Sequence, residues 1–290
     1  MGKFILSFKR KGTIHPVTPD QPVTPSGSDL VKLGILPKQI SEFTNSDIGT
    51  TVLIPYTDPT GKILLNDGKI EFEVVGVNHH TTTKYPKTIT LMTKHVIRDA
   101  TFDAKESSNS DSNRVNSGNN RWSVSNIRQW LNSGGAAGKW FTAQHEYDAP
   151  PTSGNVTSSY GAYADAPGFL AGFSSEVFQH FTNIENTTAL CSVDGGGSET
   201  TIDKVFLPSY TEMTGYNNNE IAEGTWLSVK YKDDNSRIKS TKDGAMGEVY
   251  WTRSPFTSKS AFVTCISDYG WPRSDEAFVV DGVAPIIVLH

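Results

Sequence analysis

The chain is poor in the features that announce chemistry. It has two cysteines, Cys191 and Cys265, far apart in sequence and in no Cys-x-x-Cys pair. That gives no disulfide framework and no thiolate metal knuckle, and buried apolar thiols are the plain reading. It has no basic excess: 26 Lys and Arg against 31 Asp and Glu leave a net charge of −5. General nucleic-acid binding needs a basic face to neutralise phosphates, so that class is excluded. No apolar run approaches the roughly 20 residues of a membrane span. Phe4-Ile5-Leu6 is shorter than the about 7–15 apolar residues of a signal-peptide core, so synthesis in the cytoplasm is expected.

Recognisable catalytic and metal-binding patterns are also lacking. His79, His80 and His95 have no Asp, Glu or Cys spaced with them as metal ligands, so no metal or cofactor is expected. Asp194-Gly195-Gly196-Gly197-Ser198 lacks the Lys-Ser/Thr that completes a phosphate loop. The aspartates of Lys232–Ser236 and Lys242–Gly244 read as turn chemistry and do not match a calcium loop. No Ser/His/Asp or Cys/His set can be assembled, so an enzyme is not expected.

What is there is organised. Pro16-Val17-Thr18-Pro19 recurs six positions later as Pro22-Val23-Thr24-Pro25. Proline fixes φ and removes a donor, so residues 1–28 read as an anchor and extended spacer ahead of one domain at 29–290. Lys69–Val74 alternates apolar and charged residues and predicts a strand with one buried face. Thr88–Met92 is its expected partner. Residues 105–120 read as loop. Further strands are expected at Lys204–Leu207, Thr225–Val229, Ala261–Ile266, Ala277–Val280 and Val283–Leu289.

Two helices are predicted. In the first, Ser123 or Ser125 caps the N-terminus, Ile127, Trp130 and Leu131 share a face, and Asn132 with Gly134 and Gly135 ends it. The second runs from Ser174 to Phe181, with Val177, Phe178 and Phe181 buried. Strands surround two helices without regular alternation, so the fold class is α+β.

Four segments carry a resemblance: Ser125–Asn132, Asp203–Ser209 with Glu212, Trp251–Pro255 and Val283–Leu289. In order and content the chain from about residue 45 to 290 resembles DUF6273, a domain of unassigned function in bacterial and phage proteins. The resemblance implies a C-type-lectin-like fold with two helices, mixed antiparallel strands and long loops, a scaffold shared with formylglycine-generating enzymes and phage receptor-binding tips. The chain lacks the close cysteine pair of those enzymes, and the Glu-Pro-Asn and Trp-Asn-Asp tripeptides of calcium-dependent lectins.

Two kinds of site remain. Arg128 and Arg253 need carboxylate partners if buried, and Asp203 or Glu212 could serve, as structural pairs or as ligand contacts. Asp268, Tyr269, Trp271, Arg273 and Asp275 lie between two expected strands and have a binding-surface composition. The alternative is a hairpin loop with Trp271 packed into the core. The expected function is a non-enzymatic bacteriophage virion protein, a capsid decoration or tail component that binds a host-surface glycan or protein. Its arm would contact other virion proteins, in many copies or as a homo-oligomer, without nucleic acid or membrane. The alternatives are a formylglycine-generating-type oxidase and a bacterial adhesin located outside the cell or on its surface.

Overall fold

The structure, a computed structural model, describes residues 27–290. The expected arm at 1–28 lies outside the described residues, apart from the first two positions of a short helix. Twelve strands are present among them: β1 (Thr51–Pro55), β2 (Lys69–Val77), β3 (Ile89–Thr93), β4 (Arg98–Thr101), β5 (Ile184–Ala189), β6 (Ser198–Asp203), β7 (Val205–Phe206), β8 (Tyr250–Pro255), β9 (Phe262–Ile266), β10 (Pro272–Glu276), β11 (Val280–Val283) and β12 (Ile286–Leu289). Six short helices accompany them: α1 (Gly27–Lys32), α2 (Ser112–Ser117), α3 (Asn126–Leu131), α4 (Ser175–Phe178), α5 (Tyr210–Thr214) and α6 (Asp234–Arg237). None of these helices is long and apolar enough to cross a membrane. The class is α+β, dominated by sheet.

Two five-stranded sheets hold the core, ordered β1-β2-β3-β12-β7 and β10-β9-β8-β11-β4, with β5 and β6 as a separate pair. The alternation in β2 works as expected. Ile70, Phe72 and Val74 are buried, and across the antiparallel ladder Phe72 faces Val52 and Ile70 faces Ile54. β3 and β12 are buried along their whole length, which is the signature of central strands covered on both faces. The second sheet is mixed: β11 runs parallel to β8 and antiparallel to β4. The expected strand Val283–Leu289 is broken at Ala284-Pro285. Proline cannot donate to a ladder, and the chain uses the break to pass from one sheet to the other.

Both expected helices are present but short, and four further short helices were not expected, α2 among them within the expected loop 105–120. Ser125 caps α3, its Oγ accepting from the Arg128 N–H at 3.4 Å, and Ile127, Trp130 and Leu131 are buried. Ser174 precedes α4, where Val177 is buried and Phe178 half-buried. Two strand expectations fail. Thr225–Val229 forms no strand: Leu227 is buried, but its carbonyl accepts from Lys230 and Tyr231 in a turn, so the apparent alternation is that of an irregular segment. Ala277–Val279 turns between β10 and β11, and the ladder begins only at Val280.

The long stretch 102–183 contains no strand and is held by buried polar groups. Asp103 accepts the Asn119 N–H at 3.0 Å and the Asn126 N–H at 2.9 Å. The Asn126 side-chain carbonyl in turn accepts from the Ala104 N–H at 3.0 Å. Asn120 donates to the carbonyls of Lys259 and Phe262, both at 2.8 Å. A loop can run through the interior only if its peptide groups find such partners.

Candidate functional site

The four segments that carried the family resemblance converge in the core. Glu212 sits in the first turn of α5, where it closes a capping box with Ser209. Its carboxylate meets Arg253 of β8 in a two-pronged pair, Nη1 to Oε2 at 2.7 Å and Nη2 to Oε1 at 3.0 Å. The side chains are 1% and 0% exposed. Arg253 also donates to the carbonyls of Leu207 and Glu223, at 2.8 and 3.0 Å. His80 Nε2 lies 3.0 Å from Glu212, and its Nδ1 lies 3.1 Å from Thr90 Oγ1. The Arg253 guanidinium, with the His80 contact, holds the Glu212 carboxyl far below its ordinary range despite complete burial.

The second pair is Arg128 of α3 with Asp203, Nε to Oδ1 at 2.7 Å. The other Asp203 oxygen accepts from Trp122 Nε1 and Asn186 at 3.1 Å and from Thr201 at 2.7 Å. Both arginines therefore take the structural alternative. Asp203, Glu212 and their partners lock helices to strands.

The surface candidate is the β9–β10 hairpin. Its tip closes with Gly270 N–H to Ser267 O at 2.9 Å and Ser267 N–H to Trp271 O at 2.8 Å. Gly270 has φ +84°, and a Cβ there would run into the Asp234 carbonyl, so glycine is required twice over. Buried Arg237 donates to the Gly270 carbonyl at 2.8 Å and anchors the tip from below. Tyr269 and Trp271 then stand outward, 62% and 54% exposed, with ring centroids 5.5 Å apart. Trp271 does not pack into the core.

The expected loop 268–275 is half strand, because Pro272–Glu276 pairs with β9 as an edge. That register places Arg273 opposite Cys265 and Ser274 opposite Thr264. Arg273 pairs with Asp275 at 2.7 Å on the surface. Asp268 is half-buried at the start of the tip. Beside the tip lies a groove of about 420 Å³ lined in part by Tyr210, Asn218, Phe256, Pro272, Arg273 and Ser274.

Two residues missed in the sequence join Asp275 on the face of the sheet that also carries Arg273. The ligand atoms of Cys265, Asp275 and Asp281 lie within 4.8 Å of one another and could hold a metal ion. One Asp281 oxygen is buried without a hydrogen-bond partner among the described residues. Burial and the neighbouring Asp275 push the Asp281 carboxyl up to about 7. Burial and the Asp281 and Asp275 charges push the Cys265 thiol up as well, so it stays protonated and is a poor ligand as it stands. Sequence spacing carries no sign of this cluster, because strand register alone assembles it. His79 and His95 stay outside it, and burial lowers His79 to about 4.

Fold and site together define an α+β domain with an ion-paired core and an aromatic hairpin at one sheet edge. The family model described as Domain of unknown function (DUF6273) matches residues 87–290, more than half of the chain, and the chain belongs to that family. Comparisons with curated proteins and with solved structures return no match.

Proposed function

We propose that this is a non-enzymatic bacteriophage virion protein whose C-type-lectin-like domain binds a host-surface glycan or protein through the β9–β10 hairpin. The observation that carries the reading is the exposed pair Tyr269 and Trp271 on a tip fixed by Gly270 and Arg237. Two flat apolar faces with polar edges, already ordered, suit stacking on sugar rings or a protein hot spot, because little entropy is lost on binding. The Arg273–Asp275 pair and the groove behind supply directional polar groups. The non-enzymatic part is supported by the absorption of Arg128, Arg253, Asp203 and Glu212 into structural pairs. Cys191 and Cys265 are both free and buried, and the cluster at Cys265 does not include Cys191.

A glycan array and a host-cell binding assay on the whole chain test the reading. Tyr269→Ala and Trp271→Ala should each weaken binding about tenfold or more. Binding untouched by both changes, or absent from the unaltered protein, rejects the hairpin as the site. The virion assignment is tested separately, by removing residues 1–28 and measuring incorporation into particles. Normal incorporation rejects the arm as the tether.

A further inference from the structure

Arg98 is a buried charged residue outside the hairpin. It lies at the start of β4, the edge strand at the opposite side of the sheet from β10. It is 6% exposed. A buried guanidinium ordinarily has a carboxylate partner, since an uncompensated charge in the interior is costly. Among the described residues Arg98 makes no ion pair and a single hydrogen bond, Nε to the Asp99 carbonyl at 3.3 Å. Its guanidinium carbon lies 5.0 Å from the Trp130 ring centre and 5.3 Å from that of Tyr163. These rings hold the cation but use none of its donors.

Asp58 and Asp99 act on Arg98 electrostatically, but neither forms an ion pair with it among the described residues. Asp58 is spent on its own turn, accepting from Thr60 N–H at 2.9 Å, Thr60 Oγ1 at 2.6 Å and Ile63 N–H at 2.7 Å. Asp165 is exposed on the rim and forms no ion pair.

Arg98 lines a cavity of about 390 Å³ whose walls include Lys62, Thr60, Thr152, Ser153 and Asp165. Lys62 is exposed and also unpaired among the described residues. A planar cation at the base, a second cation at the mouth and hydroxyls on the walls form a receptor for an oxyanion. The guanidinium fork matches a carboxylate. The volume suits a molecule of about one sugar ring, and the hydroxyl lining suits a hydroxylated body.

We propose that this cavity is a second ligand site, independent of the hairpin, that takes a carboxylate carried on a small polyhydroxylated molecule such as a uronic acid. The carboxylate pairs with Arg98, Lys62 adds charge from the rim, and the threonine and serine hydroxyls meet the ring hydroxyls.

The test is calorimetric titration of the whole chain, at fixed ionic strength, with D-glucuronate, D-glucose and acetate. Glucuronate should bind saturably, at least about tenfold tighter than either of the others, because glucose lacks the charge and acetate lacks the hydroxyls. Arg98→Met should abolish the binding. Since that change alters the interior, Lys62→Glu on the exposed rim is the second variant and should weaken binding about tenfold, while Asp165→Asn should strengthen it. Trp271→Ala should leave it unchanged, which separates this site from the hairpin. Glucuronate binding no tighter than glucose overturns the proposal. So does undiminished affinity in a folded Arg98→Met protein or in Lys62→Glu, and acetate binding as tightly as glucuronate removes the hydroxylated body.

Discussion

Charge burial at single residues has consequences of opposite sign. Glu212 and Arg253 are both solvent-free, so removing one strands the other. Arg253→Met should cost about 3–5 kcal/mol, read from urea unfolding, because Glu212 keeps its charge without its main partner. A loss under about 1 kcal/mol would mean that His80 alone compensates the carboxylate. Asp281 behaves differently, with its carboxyl raised from an ordinary 3.8 to about 7. The folded state holds its proton where the unfolded chain releases it. Its contribution is therefore complete below about pH 4 and drains away as pH rises through about 7, a change of a few kcal/mol. Asp281→Asn should flatten the fall of the thermal midpoint between pH 4 and 7. Parallel curves for the two proteins would remove Asp281 as its source.

At the level of the element, the β9–β10 hairpin separates stability from binding. The left-handed backbone of Gly270 and its contact with Asp234 are structural needs. Gly270→Ala should destabilise by about 1–3 kcal/mol in chemical denaturation. Tyr269→Ala and Trp271→Ala expose no core and should stay within about 0.5 kcal/mol of the parent. If the aromatic variants prove as damaging as Gly270→Ala, the rings serve the fold and not a partner. β10 is also a sheet edge, and charged Arg273 and Asp275 along it discourage pairing with another chain.

For the molecule as a whole, the family segment and the folding unit differ in extent. The match begins at residue 87, just before β3, yet β1 and β2 belong to the same sheet and Phe72 and Ile70 lie in the same core. A chain starting at residue 87 would leave β3, buried along its length, as a bare apolar edge. That fragment should aggregate and show no cooperative melt, whereas residues 29–290 should unfold in one transition by calorimetry. A sharp reversible transition in the shorter piece would show that β1 and β2 are accessory.

Some of this architecture was legible one residue after another. The α3 cap at Ser125 and its face of Ile127, Trp130 and Leu131 follow from local spacing, as do the alternation of β2 and its pairing with β3, because these depend on neighbours a few positions away. The need of Arg128 and Arg253 for carboxylates was also plain from chemistry, since a guanidinium cannot shed its proton. Which carboxylate served which arginine was not, because Asp203 and Glu212 reach them only after the strands are in place. The same holds for β10, whose Pro272-Arg273-Ser274-Asp275-Glu276 has no apolar face to mark it as a strand; pairing with β9 alone makes it one. Composition singled out Tyr269 and Trp271, but the Gly270–Asp234 contact that turns them outward joins distant parts of the chain. Arg98 gave no signal at all in the sequence. Its want of an ion pair among the described residues is a property of the packed interior, where Trp130 and Tyr163 are brought against it and Asp58 and Asp99 act on it without pairing.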